Sequence, residues 1–468
     1  MQLTKEQQII VNSPLKDITV NSGPGMGKTT LLLEITKKEQ NKKHLILCFN
    51  SSVKQEIQEK INKNNIKNAE VMTFHSLAFS FFKEKNHIEN FRNRNFNINL
   101  NYFSIYSILY KLGLVENLED EFIPQILDFF HKYTQSEKRI IDIISKESVL
   151  YPIISKVMNY LIKNKDAPMF HELYIKIFQL MKPKVSYDVI LIDEFQDVTP
   201  CYLSIIKSIS EGKKVVKVGD NLQKIYGYNG AIGISSFNYS LTESFRVGKA
   251  NMDFCNQLVQ KILDTNIYDV KGSNPNQKIV KEQKRKVVKI YRTNKNMLQE
   301  IIETAKQEKI CAFSQSIFDL FQLFLELLKI EKHPVIYQGI TVFSMLQLKK
   351  ILKITEDSHL KLFFALAKKY KTALEENIKN VLNFSVPETV TDDYDVKFIT
   401  SHRCKGMEFK HVELANDFIP FDKIQKDFLE KRDVTKLDEL YILYVALTRS
   451  FETLKLNFDL EKYKDSIC

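Results

Sequence analysis

The stretch ITVNSGPGMGKTTLLLEI, Ile18 to Ile35, decides how the chain is read. A short apolar run leads into three glycines within five residues, then a Lys-Thr pair, then an apolar pattern of helical period. Glycine is otherwise scarce, 13 of 468 residues, or about 3% against a typical ~7%. Backbone N–H groups of such a turn can wrap a phosphate, and the helix that follows adds the favourable partial charge of its N-terminus. A plain strand-to-helix turn needs neither the lysine nor the threonine. Lys28 is expected to reach the β- and γ-phosphates and the Thr29 hydroxyl to bind Mg²⁺, with Gly23, Pro24, Gly25, Met26, Gly27 and Thr30 completing the loop around the nucleotide. The usual pattern opens on glycine, whereas Ser22 holds that place here.

A second stretch, YDVILIDEFQDVTP, is a buried-strand run that ends in carboxylates. In parallel sheets ligands sit beyond the carboxyl ends of strands, so Asp193 and Glu194 are expected beside the glycine turn. Asp193 suits a Mg²⁺ partner, and Glu194 can polarise the water that attacks the γ-phosphate. Together the two stretches describe a nucleoside triphosphatase.

Length and composition set the frame. At ~150 residues per domain the chain holds about three domains' worth of sequence, and 44% hydrophobic with 27% charged residues is ordinary for a globular protein. The net charge of +11 fits an acidic partner such as nucleic acid. The excess is mostly lysine, which the codon bias of an AT-rich genome also produces. Arginine is confined to Arg92, Arg94, Arg139, Arg246, Arg285, Arg292, Arg403, Arg432 and Arg449. Six scattered cysteines form no CxxC pair, which argues against a zinc or iron–sulfur site and for a reducing compartment. The opening MQLTKEQQII lacks the regions of a signal peptide. The most apolar run, IFDLFQLFLELLKI, is short and carries acidic residues, so it reads as a core helix and not a membrane span. A soluble intracellular protein is expected, cytoplasmic or, in a eukaryote, nuclear, with no membrane partner.

Residues 1–82 alternate apolar runs (DITV, HLILCF) with helical stretches, the rhythm of a mostly parallel sheet covered by helices. Over 83–181 strand signals nearly vanish, and YFSIYSILYKLGL, EFIPQILDFFHKY and MFHELYIKIFQLM carry apolar residues at i, i+3, i+4 spacing, predicting a helical insertion. Strands return at YDVILIDE, KKVVKVGD and FNYSLTES. A second α/β region follows, with strand signals at KVVKIYRTN, KICAFS, HPVIYQG, DVKFITSH and HVELAND.

With these motifs in order the chain resembles the superfamily-one helicases of the UvrD, Rep and PcrA group. DEFQD is similar to their DExQD signature, LTKEQQIIV to their N-terminal glutamine motif, and LCFNSSVKQEI and VMTFHSLAF to the DNA-contacting motifs of the first motor domain. VGDNLQKIYGYNGA, LTESFR, ITSHRCKGMEF and LYVALTRS match the remaining ones. LYIKIFQLMKP, DVTP and LTESFRVG are similar to the versions found in the helicase core of the F-box DNA helicase family, although no F-box is expected ahead of the motor. The resemblance covers nearly the whole chain.

It implies an α/β fold of two RecA-like P-loop domains, with ATP bound in the cleft between them. Residues 1–82 and 182–250 would form the first, 83–181 its helical insertion, and 251–468 the second. It places Gln7 and Phe245 on the adenine and Gly406 and Glu408 on the nucleotide, with Glu408 at the ribose. Gln223 would sense the γ-phosphate, while Arg246 and Arg449 would act as arginine fingers. Single-stranded DNA, which binds by stacking along a basic groove, would meet Phe49, Tyr228 and His402 as stacking platforms, and Asn50, Thr73, His75 and Arg403 at the backbone. The family's SAK becomes Arg403-Cys404-Lys405, Thr30 replaces an arginine that covers the adenine, and Tyr228-Asn229 replaces an aromatic-arginine pair. Only about 355–391 is left to fill the place of the large insertion in the second domain, which should be vestigial. The implied activity is ATP- and Mg²⁺-dependent translocation and unwinding, 3′→5′ on single-stranded, forked or tailed DNA, in repair, recombination or replication. The alternative is a DNA-stimulated ATPase that remodels protein–DNA complexes, or switches a multi-protein assembly such as a defence system, without unwinding duplex.

Overall fold

A computed structural model describes residues 3–84, 88, 91–96, 98–227, 230–263, 270–283, 286–390, 393–431, 433 and 435–467. The chain forms two compact units, Met1–Ser22 with Gly27–Leu241, and Gly23–Met26 with Thr242–Cys468.

In the first unit the apolar runs become β1 (Asp17–Asn21), β2 (His44–Cys48), β3 (Ala69–Thr73), β4 (Val189–Ile192), β5 (Lys214–Gly219) and the short β6 (Tyr239–Ser240). Among the described residues they make one sheet in the order β3-β2-β4-β5-β1-β6, with every neighbouring pair parallel. β2 and β4 are buried along their whole length, which is why they read as unbroken apolar runs instead of alternating ones. The helices α1 (Lys5–Val11), α2 (Lys28–Lys38), α3 (Ser51–Lys63) and α4 (Phe74–Glu84) come between or before these strands. The stretch between β3 and β4 continues with α5 (Tyr102–Lys111), α6 (Phe122–Gln135), α7 (Leu150–Lys163) and α8 (His171–Leu180), and α9 (Pro200–Ile209) follows β4. α6 buries Ile123, Ile126, Phe129, Phe130 and Tyr133, one stripe at helical spacing.

The second unit opens with β7 (Glu243–Ser244), paired in parallel with β8 (Lys271–Gly272) across α10 (Lys249–Leu263). β9 (Lys278–Ile279), β10 (Val287–Tyr291), α11 (Asn294–Ala305), β11 (Cys311–Phe313) and α12 (Gln315–Leu328) follow. Then come the antiparallel hairpin β12 (Val335–Tyr337) and β13 (Ile340–Val342), α13 (Met345–Thr355), α14 (Ser358–Tyr370) and α15 (Leu374–Asn383). The chain ends with β14 (Ser385–Pro387), β15 (Val396–Thr400), α16 (Ser401–Cys404), β16 (Phe409–Leu414), α17 (Phe421–Lys431), α18 (Lys436–Leu447), β17 (Ser450–Lys455) and α19 (Phe458–Ile467). The described strands of the main sheet run β14-β11-β15-β10-β16-β17-β9, again all parallel. α12 is the apolar run expected to be a core helix, and it buries Leu320, Phe321, Phe324 and Leu327. No helix among the described residues is long and apolar enough to cross a membrane.

Three features depart from the pattern reading. FNYSLTES is two strands in different units: Leu241 N donates to Asn21 O at 2.8 Å, whereas Thr242 O accepts from Lys271 N at 2.7 Å. Backbone pairing thus switches sheets between residues 241 and 242, and 242–250, read as part of the first domain, packs with the second unit. HPVIYQG is one arm of a hairpin outside the main sheet. Its turn residues Gln338 and Gly339 have φ of 51° and 79°, the left-handed pair a two-residue hairpin turn requires. Finally, the stretch 355–390 is built into the unit's core. Leu360 and Phe363 of α14, and Leu374, Ile378 and Val381 of α15, are all 0% exposed, and the chain from β11 to β14 is one long crossover between parallel neighbours.

Ile378→Ala is therefore expected to cost about 2–5 kcal/mol, the usual range for emptying a buried aliphatic site. Chemical denaturation followed by the unfolding of the second unit measures this; a loss within ~0.5 kcal/mol of wild type, typical of a surface change, would place α15 outside the core.

Candidate active site

The register of the first sheet assembles the site. Asn21 pairs with Gly219, and Ile192 with Lys217, so the chain leaves β1, β4 and β5 at one edge and delivers Ser22, Asp193 and Asp220 there. Ser22 N donates to Gly219 O at 2.9 Å, tying the start of the glycine turn to the end of β5. Gly25 and Gly27 have φ of 67° and 79°. A Cβ on Gly25 would lie 2.3 Å from Arg246 Cβ, and one on Gly27 would be strained by its positive φ and lie 2.7 Å from Gln7 Nε2, displacing that amide. Gly27 caps α2 in the left-handed conformation and Lys28 opens the helix, with Thr29 and Thr30 half-buried in its first turn. The buried Ser22 Oγ has no hydrogen-bond partner among the described residues. An unpaired buried hydroxyl beside a helix N-terminus suits a phosphate ligand.

Lys28 Nζ lies 3.4 Å from Glu194 Oε1 and donates to Ser22 O at 3.2 Å. Glu194 takes a left-handed backbone, φ 52° and ψ 42°, a strained conformation for a side chain of this kind that turns the chain at the end of β4. Gln196 Nε2 donates to the second Glu194 oxygen. The same amide's Oε1 accepts from Asp220 N at 2.9 Å, while Asp220 accepts from Leu222 N at 2.9 Å and Gln223 Nε2 at 2.8 Å. A continuous polar chain thus runs from Glu194 through Gln196 and Asp220 to Gln223. Asp193 is buried and its Oδ1 accepts from Glu194 N at 2.9 Å. Burial, then the Glu194 carboxylate, raise the Asp193 carboxyl well above the usual range, against the pull of the Lys28 ammonium. Burial raises Asp220 too, again opposed by Lys28. One ammonium thus serves three carboxyl groups, an arrangement suited to binding a polyanion together with a divalent cation; Thr29 and Asp193 are the residues that would hold Mg²⁺ there. The sequence motifs single out neither Gln196 nor Asp220, although both follow apolar strands in the stretches DEFQD and VGDNLQ.

In the second unit the loop tip packs on LTESFR: Ser244 Oγ donates to Pro24 O at 2.7 Å, and Phe245 N to Gly25 O at 2.9 Å. Gly23 N approaches Met26 Sδ at 2.9 Å. The Phe245 ring is 42% exposed. The Arg246 guanidinium pairs with Glu408, Nε to Oε2 2.8 Å. Arg449 is 1% exposed; its Nε donates to Val445 O at 2.8 Å, Nη1 to Met407 O at 3.3 Å and Nη2 to Thr448 Oγ1 at 3.0 Å. Phe409 N donates to Arg449 O at 2.9 Å. The turn after Gly406 (φ 80°) therefore brings Glu408, Arg246 and Arg449 into one neighbourhood.

The expected nucleic-acid residues separate into two groups, one in each unit. Phe49 and Asn50 follow β2, and Thr73 and His75 lie where β3 meets α4. Phe49 is half-buried against Phe74 and Tyr202, ring centroids 5.3 and 5.6 Å away. Asn50 caps α3, accepting from Val53 N at 2.8 Å. Thr73 is buried and accepts from Ser76 N at 3.0 Å. His75 is held between Tyr174 Oη at 3.0 Å and Tyr202 Oη at 3.3 Å. In the second unit His402 is half-buried on α16, and Arg403 forms a two-point pair with Glu388. Glu388 is itself anchored, its N donating to Phe313 O at 3.0 Å and its O accepting from Lys397 Nζ at 2.6 Å. Tyr228 lies outside the described residues.

Two α/β units, each with an all-parallel main sheet among the described strands and the first carrying Lys28, Asp193 and Asp220 at its strand ends, define a pair of RecA-like P-loop domains. The chain belongs to the UvrD/Rep helicase family: the model of the UvrD/REP helicase N-terminal domain matches residues 3–244. It is 25% identical over 98% of its length to F-box DNA helicase 1 of Gallus gallus, of which it covers 49%. To F-box DNA helicase protein 1 of Schizosaccharomyces pombe it is 26% identical over 98% of its length, covering 58% of that protein. A probable DNA helicase II homolog of Mycoplasma genitalium is 27% identical over 51% of this chain and 38% of its own length. The chain thus spans roughly half the length of the first curated relatives it matches.

Burial, with nearby His171 adding to it, pushes the His75 imidazole from 6.5 down to about 4. The folded state therefore refuses a proton that the unfolded chain accepts. The resulting stability is complete above pH 6.5 and is lost as the pH falls toward 4. His75→Asn is expected to lose less melting temperature than wild type between those pH values; parallel curves for the two proteins would show that His75 does not take part.

Proposed function

We propose that the protein is an ATP-dependent, DNA-stimulated motor that moves 3′→5′ along single-stranded DNA and unwinds forked or tailed duplexes, in repair, recombination or replication. The observation that carries this reading is the meeting of Lys28 with Glu194 at 3.4 Å, at the N-terminus of the helix that follows the glycine turn. In the proposed reaction the loop's N–H groups and Lys28 hold the triphosphate. Glu194, aimed by its backbone and by Gln196, orients a water and draws off its proton. Thr29 and Asp193 would hold Mg²⁺, which would supply positive charge to the phosphate oxygens. Gln223, fixed by Asp220, reports whether the terminal phosphate is present. Gln7 and Phe245 would hold the adenine and Glu408 the ribose.

Arg246 and Arg449 are proposed to stabilise the charge of the transferred phosphoryl group. In the proposed cycle, loss of that phosphate removes its contacts with Lys28, Gln223 and the two arginines, and the grip on the strand changes with it. Phe49, Tyr228 and His402 as stacking groups, with Asn50, Thr73, His75 and Arg403 at the backbone, make the proposed track. His75 and Thr73, tied into local hydrogen bonds, would shape that track as much as touch it.

A second reading has a specific observation behind it. The described part of this segment, 355–390, holds α14 and α15, whose buried residues belong to the core, and β14, so among the described residues it offers no separate subdomain to engage duplex. A translocase that strips proteins from DNA, or a switch in a larger assembly, fits this. Forked-duplex unwinding assayed beside streptavidin displacement decides: displacement without unwinding selects the second reading.

Lys28→Ala and Glu194→Gln are each expected to lower DNA-stimulated ATP hydrolysis by about 10²-fold or more, and Glu194→Gln to retain ATP binding. Wild-type turnover in either variant refutes the site. Glu388→Gln should release Arg403 for phosphate contact. It is expected to tighten single-stranded DNA binding several-fold and to steepen the dependence of log K on log salt by about 0.7. An unchanged salt slope would remove Arg403 from the track.

A further inference from the structure

Residues 271–277, KGSNPNQ, belong to none of the motifs that carry the proposed chemistry, yet their side chains bind both arginine-bearing segments of the second unit. The Asn274 amide spends its two N–H groups on two different segments, donating to Arg246 O at 2.7 Å and to Phe451 O at 2.8 Å. Its oxygen accepts from Asn276 N at 3.0 Å, and its own backbone N donates to Val247 O at 3.2 Å. Every polar atom of the side chain is thereby used. The Gln277 side chain, 5% exposed, repeats the pattern. It accepts from Gly248 N at 3.0 Å and donates to Ser450 Oγ at 3.0 Å. The packing is close enough that a Cβ on Gly248 would lie 2.4 Å from Gln277 O. One side of each bridge is thus within two residues of Arg246 and the other within two residues of Arg449.

A chain that needed only to fold here could fill the gap with apolar side chains. A half-buried and a buried amide that bridge the two segments instead fix a unique relative placement, because any slip leaves donors and acceptors unpaired. The charges that must meet a transferred phosphoryl group are useful only when placed in advance.

We propose that Asn274 and Gln277 are positioning residues that splice the segment carrying Arg246 to the segment carrying Arg449, so that both guanidinium groups are presented as one body. The inference rests on the reading of those arginines as phosphate-charge stabilisers. Each amide acts through the arginines.

The test is steady-state ATP hydrolysis by the full chain at saturating single-stranded DNA, with melting temperature recorded for each variant. Asn274→Ala is expected to lower kcat about 10-fold while KM for ATP stays within about 2-fold. Ser450→Ala, which removes one hydroxyl and cuts only the Gln277 arm, is expected to lower kcat about 3-fold with the same constant KM. If Asn274→Ala does not fold, Ser450→Ala carries the test alone. In a background that lacks both Arg246 and Arg449, itself reduced by about 10³-fold or more, either change should lower kcat no further. Wild-type kcat in both variants, equal losses in kcat and affinity, or a loss that multiplies in that double-arginine background would each overturn the proposal. Wild-type kcat in Arg246→Ala and Arg449→Ala would overturn the finger reading on which it rests, and the two failures are distinguishable.

Discussion

The lateral hydrogen bonding of β1, β5 and β4 is the constraint from which the candidate site follows. These parallel neighbours hold Asn21 level with Gly219, and Ile192 level with Lys217, so three chain segments leave the sheet at one edge. Polar groups that would be costly inside the apolar layer, Asp193 and Asp220 among them, appear at the first positions where the strands end. Ser22 N bonding to Gly219 O closes the same edge from the loop side. A slip of one residue in any of these pairings would turn every side chain of that strand to the opposite face, and would carry Lys28 or Glu194 away from the other. The branched apolar residues of β2 and β4, buried on both faces, make such a slip expensive.

Electrostatics then sharpens what the backbone has placed. Two buried carboxyl groups are raised by desolvation, and Lys28 is the cation that opposes this at both. Gln196 distributes the geometry. It holds Glu194 with its N–H and Asp220's backbone with its oxygen, so the carboxylate proposed to orient water and the glutamine proposed to sense phosphate belong to one hydrogen-bonded chain. Such chains lose more than one bond when a member is removed. Glu194, kept in a left-handed backbone, stores strain at the same point.

In the second unit the scarce arginines are held in different ways. Arg246 pairs with a half-exposed glutamate, Arg449 is buried among carbonyl and hydroxyl oxygens, and Arg403 is matched by Glu388. A guanidinium offers five donors in a planar fork, and each of these settings uses that fork to fix a direction. The net positive charge of the chain is carried mostly by lysines on solvated faces, many in short-range pairs with Glu or Asp three or four residues away. Such pairs contribute little to stability, so the direction of a few arginines carries more information than the sum of the charge.

The sequence by itself determined most of the longer strands and helices, that a glycine turn follows β1, and that a carboxylate pair follows β4. It did so because those properties depend on residues within a few positions of each other: a run of branched apolar residues, a glycine where φ must be positive, a charged residue at the first solvated position. The order of the motifs made the family resemblance legible for the same reason. Tertiary structure alone decided the partners. His75 sits between tyrosines 99 and 127 residues away, Gln196 reaches Asp220 across 24 residues, and Asn274 reaches Phe451 across 177. It also decided that HPVIYQG turns back as a hairpin, that α14 and α15 join the core, and that pairing changes sheets between Leu241 and Thr242. An apolar pattern reports that a face will be buried, but not against what. A polar side chain declares its donors and acceptors, and only the packing of distant segments supplies the groups that meet them.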